Sequence, residues 1–291
     1  ERRRAAGVGS SGVPRVHQNT AVRSARPWGR GGSVAKGMRY SLASMKDDSL
    51  SLEPAGSGAA ALEPSRVRAI SIDLDDTLWP IAPTIERAEA ALLAWFREHA
   101  PAAAILAANP QSLREARHFL QIKRPDLSHD LSALRRESIR FVLLKAGDDP
   151  ELAEEAFDVF FAERQRVELF DDALPALEWL AGRYPVVALS NGNADVQRIG
   201  LGQHFRAAIS AREFGVAKPD ARIFHAAASA AGVRPGEVLH VGDDAQLDAL
   251  GAVVAGLQVA WLNRDGHAWD HAPLAPHTTV ADLMTLCNQL A

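Results

Sequence analysis

The sequence predicts an α/β protein: a parallel Rossmann-like sheet flanked by helices, with an all-helical cap domain inserted in it. Three observations carry that class. Four short apolar runs, VRAISID (67–73), YPVVALSNGN (184–193), EVLHVGDD (237–244) and LQVAWLN (257–263), each stop in polar or acidic residues. Helical patterns separate the later runs, and alternation of strand with helix is the pattern of parallel pairing. Finally, nearly ninety residues of helical periodicity follow the first run with no strand among them, which is too long for a loop.

The chain opens on residues rich in Gly, Ser, Arg and Pro with no sustained apolar period, so residues 1–65 are expected to form a disordered basic N-terminal tail. Residues 1–46 hold ten Lys and Arg against Glu1 alone, while the remainder holds 22 basic and 35 acidic residues. That composition also fits a transit peptide or a nucleic-acid arm. A start at Met38 or Met45 would leave the preceding residues outside the protein. The acidic body argues against nucleic acid as a principal partner, because phosphate backbones are held by Lys and Arg. No apolar run reaches the roughly eighteen residues of a membrane span. The single cysteine, Cys287, excludes an internal disulfide and fits a reducing, cytoplasmic setting. The expected state is a soluble monomer or homodimer.

The α/β core is expected over residues 66–82 and 171–291. Its first strand is VRAISID, and its helices are LPALEWLAG (174–182), ARIFHAAASAAG (221–232) and AQLDALGAVVAG (245–256), with glycine closing the last two. The insertion is expected over 83–170, where TIERAEAALLAWFREHA, LSALRRESIRFVLL and PELAEEAFDVFFAERQ each place apolar residues on one face.

Ligands of open parallel sheets bind at the carboxyl ends of the strands, and the polar residues of this chain gather there. Asp73, Asp75 and Asp76 end one strand, and Asp243, Asp244 and Asp248 follow another. If these strands are neighbours, their carboxylates converge, and hard oxygen ligands so arranged suit Mg²⁺. Asp243 or Asp244 alone is equally well read as a helix N-cap. Ser190, Asn191, Gly192 and Asn193 form a polar turn suited to an anion, or simply a turn. Lys218, before a proline, would neutralise charge beside such a cluster. His240, within an apolar strand, reads as a core histidine.

In order along the chain, these residues resemble the four motifs of the haloacid dehalogenase-like hydrolases. DLDDT (73–77) is similar to the DxDxT nucleophile motif, Ser190 to the second motif, Lys218 to the third and GDDAQLD (242–248) to the acidic fourth. The likeness spans about residues 66–265, and the helical insertion is similar to the family's type 1 cap. It implies a Mg²⁺-dependent phosphatase that hydrolyses a small-molecule phosphate ester through an aspartyl-phosphate. Asp73 would be the nucleophile, Asp75 the general acid and base, and Lys218 the charge-balancing group. Thr77, Ser190, Asn191 and Lys218 would serve the phosphate. Asp73, Asp75 through its backbone carbonyl, Asp243 and Asp248 would serve the metal, with Asp244 a rival to Asp248. Dehalogenases resembling this fold lack an acid at the position of Asp75, because halide leaves without a proton.

LSNGNADVQRIGLGQHF and EVLHVGDDAQLDALGAVVAGLQVAWLN are similar to a group of bacterial phosphatases acting on flavin mononucleotide and 5-amino-6-(5-phospho-D-ribitylamino)uracil. A sugar phosphate or nucleotide substrate, or a non-catalytic binding protein on the same scaffold, stands as the alternative. In the insertion, KRPDLSHDLSALRRESI (123–139) offers His129, Asp130 and Arg135 to the leaving group, with Asp130 equally a helix cap. Trp79 would either stack on a flat ring or wedge against the insertion.

Overall fold

The computed structural model describes residues 61–291, and within them β1 (Ala69–Ile72), β2 (Val186–Ser190), β3 (Ala207–Ser210), β4 (Val238–Gly242), β5 (Gln258–Leu262) and β6 (Thr278–Val280) form one sheet. Every pairing is parallel and the strand order is β3-β2-β1-β4-β5-β6. β1 therefore sits between β2 and β4, with Ile70 level with Val186 on one side and Leu239 on the other. β1, β2, β4 and β5 are buried at every position, as expected of strands covered on both faces.

Eleven α-helices accompany the sheet among the described residues. α1 (Ile81–His99), α2 (Pro101–Ala107), α3 (Pro110–Lys123), α4 (Leu131–Ala146) and α5 (Ala153–Arg164) all fall between β1 and β2. α6 (Ala173–Ala181), α7 (Val196–Ile199), α8 (Ala211–Phe214), α9 (Ala221–Ala231), α10 (Gly251–Val254) and α11 (Leu283–Leu290) belong to the α/β layers. Local chemistry sets several ends. Asp130 caps α4 by accepting from Ala133 N, and the helix stops at Gly147 in the left-handed region, where a side chain is disfavoured. Asp220 caps α9 in the same way, and Gly232 closes it.

Apolar side chains separate into three cores. On one sheet face Ile70, Ile72 and Val241 meet Leu177 and Leu180 of α6 and Leu283 and Leu286 of α11. On the other face Val187, Leu189 and Val259 meet Ile223 and Phe224 of α9. The third core, with Leu92, Phe96, Ile139, Leu143, Phe157 and Phe160, lies wholly among α1–α5. The inserted helices thus form an all-helical cap with its own apolar interior.

Two edge strands and one segment depart from expectation. β3 and β6 were not anticipated, because AAIS and TTV are short and only partly buried at the sheet's two margins. The helix expected over 245–256 is a π-helical turn, Ala245–Leu250, followed by the short α10. Of the expected tail, residues 1–60 lie outside the described residues, but its boundary at 65 is too late. Leu62 N donates to His277 O, and Glu63 exchanges hydrogen bonds with the buried Gln258 side chain, so the fold is already engaged at Leu62. Among the described residues no helix is long and apolar enough to cross a membrane.

Phe96 is fully buried between α1 and its neighbours, and its loss would leave a cavity in a core that also holds the end of α5 in place. Phe96→Ala should cost about 3–5 kcal/mol, measured as a lower urea midpoint with an unchanged slope.

Candidate active site

The carboxyl ends of β1, β2 and β4 meet where the strand order reverses direction, and that crevice gathers the polar residues of all three loops. Asp73 follows β1 directly, its amide donating to Val241 O of β4 at 2.9 Å. Carboxylate oxygens of Asp73, Asp243 and Asp248 lie within 4.8 Å of one another. Lys218 Nζ bridges two of them, at 2.6 Å from Asp73 Oδ1 and 2.5 Å from Asp248 Oδ1, with all three side chains buried.

The loop after β4 is built around Asp248. Its Oδ1 also accepts from His240 Nε2 at 3.1 Å, and its Oδ2 accepts from Asp244 N at 3.1 Å. Each oxygen is thereby committed to protein donors. A Cβ on Gly242 would lie 2.3 Å from Asp248 Cγ, so only glycine there lets this carboxylate fold back under the loop. Asp244 is an N-cap, accepting from Gln246 N and Leu247 N. It takes the capping role open to it and is not among the converging oxygens. Because His240 donates through Nε2, its Nδ1 accepts from the Ser71 hydroxyl at 2.8 Å. Burial lowers its pKa, consistent with a neutral ring.

Burial and one ammonium set the electrostatics of the trio. Burial raises Asp73 well above the usual carboxylate range, against the pull of Lys218 and with the push of Asp248. Burial, then Asp248, pushes Asp243 up to about 7, opposed by its hydrogen bond from Thr77. Burial also opposes ionisation of Asp248, yet Lys218 and His240 hold it down to about 2. For Lys218 burial works against the ammonium, but Asp248 and Asp73 outweigh it and hold its pKa above the ordinary lysine value. One ammonium thus bridges two of the three converging carboxylates. The set is all oxygen, with both His240 nitrogens already engaged, and it fits a hard divalent cation held by Asp73 and Asp243.

The remaining sequence-predicted residues divide. Ser190 Oγ accepts from Gly192 N at 2.9 Å, which leaves its own hydrogen to donate outward. The Asn191 side chain grips the Lys218 backbone from both sides, accepting from its N and donating to its O, and so places the lysine. Thr77 does not face a phosphate: its hydroxyl donates to Asp243 Oδ1 at 2.9 Å, which makes it an orienting group for that acid. Asp76, at φ 58°, accepts from Ile81 N and donates its own amide to Trp79 O, holding the loop's turn.

Asp75 points away from the acidic trio. Its side chain lies over Gly192, where an added Cβ would come within 2.3 Å of Oδ2 and 3.1 Å of Ser190 Oγ. Oδ1 accepts from Trp79 Nε1 at 2.9 Å and from Arg164 Nη2 at 2.6 Å, and Oδ2 is 2.7 Å from the same nitrogen. Trp79 is therefore not a stacking platform: it is fully buried and spends its only polar side-chain hydrogen on Asp75. Arg164, at the last position of α5, was not anticipated. It reads in sequence as one more charge on a helix and is in fact buried.

Beside Asp75 lies a cavity of about 240 Å³, lined in part by Arg117, Arg135, Arg164, Gly192 and Asn193. Of the residues expected from the insertion, only Arg135 lines it. Its guanidinium rests on Phe160 and pairs with Glu89 at 3.1 Å, while burial and the charge of Arg117 lower its pKa to about 10. Asp130 caps α4 and lies 3.7 Å from Arg212, and His129 is not among the lining residues.

A parallel sheet with lysine-bridged carboxylates at its switch point and an inserted helical cap defines a capped hydrolase of the α/β class. The profile of the haloacid dehalogenase-like hydrolases matches residues 67–256, and the chain belongs to that family. It is 33% identical over 231 residues to the 5-amino-6-(5-phospho-D-ribitylamino)uracil phosphatase YigB of Escherichia coli, covering 77% of this chain and 96% of that protein. It is 37% identical over 155 residues to the phosphoserine phosphatase of Thermus thermophilus, covering 51% of this chain and 62% of that one. Among solved structures, a 2-haloacid dehalogenase from Pseudomonas syringae pv. Tomato superposes with a TM-score of 0.71 at 38% identity, over 77% of this chain and 97% of the other.

Gly192→Ala should drive Asp75 off its seat and crowd Ser190 while leaving the sheet intact. A loss of about 100-fold in kcat/KM with a nearly unchanged melting temperature is expected, because misplacements of about 1 Å cost that much.

Proposed function

We propose that the protein is a Mg²⁺-dependent phosphatase that hydrolyses a small-molecule phosphate monoester through an aspartyl-phosphate. The observation that carries this reading is the arrangement of two acids on one loop: Asp73 held by Lys218 in the acidic cluster, and Asp75 turned away from it toward the cavity.

Lys218 engages Asp73 Oδ1, so Oδ2 is the oxygen that attacks phosphorus. The bond from phosphorus to the ester oxygen breaks as the bond to Asp73 forms, and Asp75 gives its proton to the departing alkoxide. Asp75 then takes a proton from water, which attacks the phosphoryl group and returns Asp73 as a carboxylate with inorganic phosphate. The Ser190 hydroxyl, the Asn191 amide and Lys218 hold phosphoryl oxygens through both steps. Asp73 and Asp243 would hold the divalent ion, which when bound offsets the charge of the acidic cluster and the phosphate. Asp248 serves by fixing Lys218, and Thr77 by fixing Asp243.

For the substrate, the similarity to the E. coli enzyme supports a phosphorylated ribityl chain, as in 5-amino-6-(5-phospho-D-ribitylamino)uracil or flavin mononucleotide. A cytoplasmic setting accords with the buried free thiol of Cys287. A second reading, dehalogenation, draws on the likeness to the Pseudomonas syringae structure. The held Asp75 speaks against it, since a proton donor serves an alkoxide and does nothing for a halide.

Hydrolysis of para-nitrophenyl phosphate should stop with EDTA and return with Mg²⁺, and Asp73→Asn should lower kcat by roughly three orders of magnitude or more. Activity surviving that substitution would refute the nucleophile. In a screen of phosphate metabolites by kcat/KM, a preference for sugar phosphates or nucleotides over ribityl phosphates would overturn the substrate. Chloride release from 2-chloropropionate would favour dehalogenation.

A further inference from the structure

The proton donor of this reading is not placed by its own loop alone. The Asp75 side chain lines the cavity and is 20% exposed, and the groups that hold it are a tryptophan four residues on and an arginine from the far end of the cap. The Arg164 side chain is 2% exposed, its Nη2 reaches both Asp75 oxygens, and its buried Nη1 has no hydrogen-bond partner. No other carboxylate competes for it among the described salt bridges, so a buried cation is directed at a single acid.

The two carboxylate oxygens are not equivalent. Oδ1 takes two donors, Trp79 Nε1 and Arg164 Nη2, and is locked. Oδ2 takes only the second contact of Nη2 and lies over the bare backbone of Gly192, beside Ser190 Oγ. Oδ2 is the oxygen left with an open lone pair on the side where a phosphoryl group gripped by Ser190 would present its leaving oxygen.

Arg164 is itself seated by the core. The next residue, Gln165, accepts from Asp195 N at 2.7 Å and donates to Asn193 O at 3.3 Å, stitching the end of α5 to the loop after β2. The same loop supplies Gly192 and Ser190. The end of the cap, the acid and the phosphate turn therefore form one connected unit.

We propose that Arg164 is a positioning residue for proton transfer: it acts through Asp75, fixing Oδ1 so that Oδ2 faces the leaving group, with Trp79 as the second anchor. The proposal rests on the phosphatase reading, and specifically on Asp75 as the acid. It makes the donor's posture depend on the seat of the cap, because the anchoring cation travels with α5.

The test compares two esters of similar shape whose leaving groups differ in their need for a proton, phenyl phosphate and 2,4-dinitrophenyl phosphate. The readout is the ratio of their kcat/KM values on the same enzyme preparation, which a general loss of active protein does not move. Asp75→Asn calibrates it: the ratio should shift strongly toward the dinitrophenyl ester. Arg164→Met should shift it in the same direction by at least about tenfold. Arg164→Lys should recover part of that shift, and Trp79→Phe should give a smaller shift of the same sign. Ratios within about twofold of wild type for both Arg164→Met and Trp79→Phe, with Asp75→Asn displaced, would overturn the role of Arg164 and leave the phosphatase reading standing. A ratio that does not move in Asp75→Asn would remove the acid itself, and this inference with it. Should Arg164→Met fail to fold, Trp79→Phe decides.

Discussion

A buried ammonium shared between two carboxylates organises this site. Lys218 lies between Asp73 and Asp248, with a third acid, Asp243, close by, and no other cationic side chain reaches that cluster among the described salt bridges. Removing the ammonium would leave carboxylates buried without compensation, which is far costlier than the net worth of the pair. The lysine must therefore be placed with precision, and the protein does so through its backbone. Asn191 from the β2 loop holds both the N–H and the carbonyl of Lys218. Gly251 lies so close to Pro219 that an added Cβ would approach it to 2.8 Å. Ionising Asp73 and Asp243 together would leave net negative charge in the cluster, which a divalent cation would offset.

That constraint explains why two glycines mark the loops. Gly242 exists to let Asp248 fold beneath the β4 loop, and Gly192 to let Asp75 lie across the β2 loop. In both places a carboxylate is brought against backbone at a distance no side chain would permit. The sheet order makes these approaches possible, since β1 has β2 and β4 as its immediate neighbours and all three loops emerge on one edge.

The α/β alternation was legible because β1, β2, β4 and β5 are buried on both faces, and such strands appear as unbroken apolar runs. β3 and β6 were not legible, because margin strands need little apolar character and AAIS and TTV show little. The acidic cluster could be read from strand ends alone once β1 and β4 were assumed adjacent. Asp76, the third acid of that strand end, hydrogen-bonds within its own loop. What sequence did not carry was the second layer of partners. His240 reads as a core residue because it occupies an apolar strand, yet it also steadies Asp248. Arg164 is indistinguishable in sequence from exposed arginines of the insertion such as Arg97 and Arg114. Its only signal is its position, at the last turn of the insertion where the chain returns to the core. The polar stretch 123–139 misled for the opposite reason: Arg124 and Arg136 are paired with Asp126 and Glu154, so most of that charge is spent on the cap itself.

The scaffold on its own does not choose between chemistries, since the same fold appears in a solved dehalogenase and in phosphatases of sequence similarity. On the proposed reading Asp73 with its lysine would attack carbon or phosphorus alike. Discrimination falls to the leaving group. A halide departs as a stable anion, whereas an alkoxide at neutral pH is far too basic to leave without a proton. A chain that cleaved carbon–halogen bonds would gain nothing from an acid two residues past its nucleophile. It would gain still less from burying an arginine and a tryptophan to hold that acid in place. This chain carries all three, with the arginine and the tryptophan gathered on one carboxylate that lines the cavity.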